Sequence, residues 1–208
     1  MPDSTLTHRP TIALGITGAS GSRYGLRLLQ CLVESDASVY LMISQAGRMV
    51  LELEAGLKIP PSPAHAEQFF AERFQVRPGQ MRVFGSRQWM APVASGTNPP
   101  DAMVICPCTT GTLATLASGI CQDLIDRAAD VVLKERRKLI LVVRETPFSV
   151  IHLESMLRLT HAGALIMPAS PGFYFNPQTV DELIDFMVAR VLDHLQIPHH
   201  LSRRWASD

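Results

Sequence analysis

The 208-residue sequence predicts an α/β domain built on a doubly wound, mostly parallel sheet. Three observations predict it. Short apolar runs alternate with stretches of helical spacing, the pattern of parallel strands joined by right-handed crossover helices. Small, hydroxyl-bearing or charged residues stand where each run ends, and that is the edge at which such sheets hold ligands. The length suits one domain, and a composition that is 47% apolar and 18% charged is enough to bury a sizeable core.

Residues 11–17 (TIALGIT) read as a buried strand running into a glycine cluster, and residues 24–33 as a helix with Leu26, Leu29 and Val33 on one face. A second strand covers residues 38–44 (SVYLMIS), followed by a helix over 46–53. From 58 to 100, prolines and scattered charges predict irregular chain, with a short strand near Met81–Phe84. Residues 102–106 (AMVIC) form the third firm strand, residues 112–118 a helix, and 122–136 another. Lys138–Val143 and residues 164–167 are further strands with a helix at 150–160 between them, and Val180–Leu195 is the last long helix. Residues 1–10 read as a disordered lead-in, 11–197 as the single domain, and 198–208 as a tail suited to close over a site.

Formal net charge is zero and no basic arm exists, so nothing favours nucleic acid or anionic lipid. No apolar run is long enough to span a bilayer, and the N-terminus lacks the apolar core of a signal peptide. Cys31, Cys106, Cys108 and Cys121 form no zinc framework, and the histidines lack metal-ligand spacing. The expectation is a cytoplasmic protein with reduced thiols and no metal site.

Chemistry concentrates at the strand ends. In Gly18-Ala19-Ser20-Gly21-Ser22-x-x-Gly25, glycines let backbone amides approach an anion at a helix N-terminus, although a tight structural turn would read the same way. The spacing departs from G-x-G-x-x-G, and Ser44 ends the second strand where a dinucleotide site would carry an acid. Thr109, Thr110, Gly111 and Thr112 lie between a strand and a helix, offering neutral donors to a phosphate or a flavin edge, or else a plain helix cap. Arg144 and Glu145 end a central strand with adjacent opposite charges, a poor stabiliser if buried and so a functional candidate. Arg127 and Lys134 share one helix face and Arg190 borders an apolar stripe; singly each would snorkel to water, but with Arg144 they resemble a phosphate clamp. Tyr174 adds a hydroxyl, Glu54 is by default a solvated helical carboxylate, and Trp205 is an unusual residue for a free tail.

Five pieces in order, GITGASGSRYG, MVICPCTTGTL, RAADVVLKERR, LVVRETP and MPASPGFY, resemble the UbiX-type flavin prenyltransferases over almost the whole chain. The resemblance implies a Rossmann, flavodoxin-like fold, a homo-dodecamer, and FMN bound between subunits. It implies transfer of a dimethylallyl group from dimethylallyl monophosphate to N5 and C6 of reduced FMN, giving the prenylated FMN that UbiD-type decarboxylases use, in ubiquinone formation among other pathways. Carried over, FMN contacts fall on Gly18, Ala19, Ser20, Ser44, Thr109, Thr110, Gly111, Thr112 and Arg144. Allyl phosphate contacts fall on Tyr174, Arg190 and Arg144, with Lys134 and Arg127 arriving from neighbouring subunits; Glu54 and Glu145 match acids of the family site, and Trp205 an aromatic lining it. The chain departs mildly from many relatives, reading P-C-T for P-C-S, and Thr97 for a serine.

With no D-D-x-x-D cluster to hold a metal, fixed cations must stabilise the leaving phosphate. Lys134, Arg144 and Arg190 take that role; Trp205 and the flavin face shelter an allyl cation by attraction of about 0.5–2 kcal/mol. Glu145 is the candidate for proton transfer, with Ser20 as relay. Two rivals stand beside this reading. An FMN-dependent peptidyl-cysteine decarboxylase would need a catalytic histidine and a P-x-M-N-x-x-M-W clamp, where this chain reads PASPGFY. A non-catalytic flavin carrier would need no second anion site.

Overall fold

The computed structural model describes residues 9–202. Six strands, β1 (Thr11–Ile16), β2 (Ser38–Ile43), β3 (Met81–Phe84), β4 (Ala102–Cys108), β5 (Lys138–Val143) and β6 (Leu165–Pro168), form one sheet in the order β3-β2-β1-β4-β5-β6. Every neighbouring pair is parallel, so the expected doubly wound sheet is found without an antiparallel edge. β4 is buried along its whole length, and β1 and β5 at all but their first residue, which is why their sequences read as unbroken apolar runs.

Among the described residues, seven α-helices cover the two faces: α1 (Ser22–Glu34), α2 (Gln45–Ala55), α3 (Pro63–Phe74), α4 (Thr110–Ala117), α5 (Leu124–Lys134), α6 (Val150–His161) and α7 (Val180–Leu195). One core layer packs α1, α3 and α7 on the sheet through Leu28, Leu32, Phe70, Val188 and Leu192. The other packs α4 and α5 through Leu113, Ile125, Ala128 and Val132. α6 buries only Leu159 and leaves Val150, Ile151, Leu153 and Leu157 exposed. No helix among the described residues is long and apolar enough to cross a membrane.

Expectation and structure part chiefly between 58 and 100. That stretch is not wholly irregular, because α3 occupies Pro63–Phe74. Pro63 opens the helix rather than breaking it, since a first-turn residue has no intrahelical bond for its amide to lose. Elsewhere the differences are at element ends. β4 runs on to Cys108, and α5 starts at Leu124 because the Asp123 side chain accepts from the amides of Ile125 and Asp126. Of the lead-in, residues 1–8 lie outside the described residues, as do 203–208 of the tail.

Candidate functional site

The chain turns one way from β1 to β3 and the other way from β4 to β6, so the switch point lies between β1 and β4. A crevice beyond the carboxyl ends of those strands is the expected ligand position. Thr17 ties its two walls together. Its buried hydroxyl donates to Pro107 O at 2.7 Å and accepts from the Thr109 amide at 2.9 Å. Close packing holds the helices against this edge: a Cβ on Gly25 would stand 2.4 Å from Cys106 O, and one on Gly47 2.5 Å from Ile16 O. Ser44 caps α2 by accepting from the Gly47 amide at 3.0 Å.

At the first turn, the anion at the N-terminus of α1 is the protein's own. The Glu54 carboxylate, from the last turn of α2, accepts from the Gly21 amide (3.0 Å), the Ser22 amide (2.9 Å) and the Ser22 hydroxyl (2.8 Å). Gly21 adopts φ +95° to make this turn, a conformation that glycine reaches without strain. Burial by itself would raise the Glu54 pKa, but the Ser20 and Ser22 hydroxyls and the two amides outweigh it and hold the acid below the usual carboxylate range. Glu54 is thus no plain solvated carboxylate. It fixes the loop that carries Gly18, Ala19 and Ser20.

On the other wall, Thr109 is the N-cap of α4: its hydroxyl accepts from the Thr112 amide at 3.0 Å and donates to Thr112 Oγ1 at 2.9 Å. The first-turn amides of Thr110 and Gly111 remain, as at any helix start, without an intrahelical acceptor. Thr110 also leans toward Glu145, Oγ1 to Oε2 at 3.5 Å. The Thr109–Thr112 run therefore caps a helix and still presents donors to the crevice. Beside it, the backbone amide of Arg144 donates to Cys108 O at 3.3 Å, while its side-chain Nε is buried with no acceptor among the described residues. A buried guanidinium nitrogen without a partner costs free energy that a bound anion would offset. Arg144, Glu145, Phe148, Pro168 and Ser170 line a cavity of about 340 Å³ at this point.

The remaining cations divide in two. Arg190, on α7, lines a groove of about 370 Å³ with Pro168 and Ser170, residues shared with the Arg144 cavity. Tyr174 stands near it, packed edge-on against Phe186 one turn earlier on α7. Arg127 and Lys134 are elsewhere. Arg127 donates to Ala94 O (3.1 Å) and pairs with Asp130 (2.6 Å); Lys134 pairs with Glu135 and sits against Gly96. Lys134 precedes β5 and Arg144 follows it, so one strand length, about 20 Å, separates them within a chain. One chain brings together Gly18, Ala19, Ser20, Ser44, Glu54, Thr109, Thr110, Gly111, Thr112, Arg144 and Glu145 at the crevice, with Arg190 and Tyr174 adjoining. It does not bring Arg127 and Lys134 there. Trp205 lies outside the described residues. Sequence reasoning missed Thr17, whose partners are 90 and 92 residues away.

Residues 2–192 match the Flavoprotein family. Flavin prenyltransferase UbiX of Pseudomonas aeruginosa is 54% identical over 194 residues, 93% of each chain. The UbiX flavin prenyltransferase of Methanocaldococcus jannaschii is 39% identical over 94% of this chain and 98% of its own. Among solved structures, a UbiX bound to FMN and dimethylallyl pyrophosphate aligns with TM-score 0.85 and 36% identity, covering 96% of this chain and 99% of that one. A dodecameric FMN-dependent UbiX-like decarboxylase from Escherichia coli O157:H7 aligns with TM-score 0.81 and 38% identity, covering 95% and 100%.

Proposed function

Since the chain belongs to the Flavoprotein family and within it to the UbiX flavin prenyltransferases, we propose that it moves a dimethylallyl group from dimethylallyl monophosphate to N5 and C6 of reduced FMN. The observation that carries the reading is the buried Nε of Arg144, just past the carboxyl end of β5, which has no acceptor among the described residues. A flavin phosphate ester or an allyl phosphate supplies the acceptor that this nitrogen lacks. Gly18, Ala19, Ser20, Ser44, Thr109, Thr110, Gly111, Thr112 and Arg144 hold FMN. When bound and reduced, FMN supplies the nucleophilic atoms.

The chain's own groups then act on charge. Breaking the allylic C–O bond leaves negative charge on phosphate, and Arg144 and Arg190 stabilise it in a site of low dielectric. Glu145, within reach of the Thr110 hydroxyl, takes or returns the proton; Ser20, against Glu54, relays it. Lys134 and Arg127 complete the clamp from a neighbouring subunit, a reading supported by the strand length between Lys134 and Arg144 and by the pairing of Arg127 with Ala94 O and Asp130. The apolar, exposed face of α6 supports burial against further copies, in an assembly we take to be a dodecamer. Trp205 in the tail shelters the allyl group. The product serves a UbiD-type decarboxylase, in ubiquinone formation among other pathways, and the reduced thiols suit a cytoplasmic setting.

Reduced FMN mixed with the protein and dimethylallyl monophosphate, then weighed by mass spectrometry, tests this. A gain of one prenyl group is expected, and the pyrophosphate run in parallel fixes the donor. Release of unaltered FMN would overturn the transferase. Lys134→Ala should abolish the gain with FMN still bound.

A further inference from the structure

We infer that His199 is a positioning residue for the reaction: through Asp193 it holds the Arg190 guanidinium ready for the allyl phosphate. The inference rests on the function proposed above. Arg190 and Asp193 stand three apart on α7, with Nη1 donating to Oδ2 at 2.7 Å. The other carboxylate oxygen, Oδ1, meets His199 Nε2 at 3.1 Å. His199 Nδ1 in turn lies 3.4 Å from the Leu201 amide, which donates to it. Because Nδ1 accepts, the ring proton of a neutral imidazole belongs on Nε2, which then donates to Asp193. Both nitrogens are used in a single tautomer, so the ring cannot turn over without losing both contacts.

Exposure falls from the groove inward. The Arg190 side chain is 49% exposed, Asp193 19% and His199 7%. An exposed i,i+3 ion pair would hold a guanidinium only loosely. Here the carboxylate is mostly buried and its orientation is fixed from behind, as a metal ligand is fixed by the group beyond it. Among the described residues Arg190 is held by one of its donors, Nη1, which leaves the others for an anion in the groove beside Pro168 and Ser170. Those two residues also border the Arg144 cavity, so the groove that Arg190 lines adjoins it. Holding a long side chain in one geometry before binding removes part of its ordering cost, about five- to tenfold in affinity.

The test compares His199→Phe with His199→Gln in the intact oligomer. Asp193 is left in place, because its removal would also change the charge near the phosphate. Glutamine carries an amide that donates to Asp193; phenylalanine fills the same space without a donor. His199→Phe should raise KM for dimethylallyl monophosphate about tenfold, with kcat and FMN affinity unchanged, and His199→Gln should restore most of the loss. An unaltered KM in His199→Phe would overturn the inference. So would equal losses in both variants accompanied by weaker FMN binding and a lower melting temperature, the mark of a tail that has merely come loose. Titration with inorganic phosphate reads the pair without turnover. If the parent protein fails to prenylate FMN, the proposed function falls, while weaker phosphate binding in His199→Phe alone still supports the pair and equal binding in both variants refutes it.

Discussion

Replacing Thr17 by valine keeps the shape of the side chain and removes one oxygen from the point where β1 meets β4. That oxygen is 2.7 Å from Pro107 O and 2.9 Å from the Thr109 amide, in a residue 2% exposed. Pro107 O keeps a second donor, the Thr17 amide at 3.2 Å, so its loss is the ordinary one of a hydrogen bond. The Thr109 amide keeps no acceptor among the described residues. Losing the hydroxyl bond costs about 0.5–1.5 kcal/mol and stranding a partly buried amide about 1–3 kcal/mol, so Thr17→Val should destabilise by roughly 1.5–4.5 kcal/mol. For a chain of this size that lowers the melting temperature by about 5–15 °C. Thr109 also caps α4, so a loosened Thr109 should weaken FMN binding about tenfold, or 1.4 kcal/mol. Urea unfolding gives the first quantity and flavin fluorescence titration the second, with Thr17→Ser as the control that keeps the hydroxyl. A Thr17→Val protein within about 0.5 kcal/mol of its parent would refute the reasoning.

Glu54 has a folded pKa below its unfolded value of about 4.3, so its contribution is present above that pH and lost as pH falls through the folded value. Denaturation midpoints followed into acid should therefore converge for the parent and Glu54→Gln, having been apart at neutral pH. Asp126 has the opposite sign: burial first, and then the Asp123 charge, raise its pKa, so stability is lost as pH rises through the folded value. Asp126→Asn, which keeps an oxygen for the Gln122 amide, should melt higher than the parent at neutral pH and lose that advantage in acid. Gly25→Ala puts a carbon 2.4 Å from Cys106 O, and should cost about 1–3 kcal/mol in urea unfolding by pushing α1 off β4.

How far the fold could be read from sequence follows from what each signal is made of. β1, β4 and β5 were legible because strands covered on both faces need apolar side chains at every position. α3 was hidden by the prolines around it, although Ala66, Phe70 and Phe74 repeat at four-residue spacing and Pro63 sits where a helix accepts proline. At the site, residue types at strand ends pointed to the carboxyl edge of the sheet, and the structure gathers them there. Partnerships did not show, since Glu54 meets its amides across 32 and 33 residues and Thr17 meets Pro107 across 90. Sequence spacing reports neighbours along a helix or strand and carries no trace of those. The Asp193–His199 pair was equally silent, although it spans only six residues, because a helix end and a loop have no periodicity to read.

The separation of Lys134 from Arg144 along β5 has a genetic consequence. Under the proposed clamp, Lys134→Ala and Arg144→Ala should each be inactive for want of a different half. Co-expressed so that their subunits mingle, they should regain turnover wherever an intact Lys134 from one parent abuts an intact Arg144 from the other. Simple blending of the two finished assemblies should recover nothing until their subunits exchange.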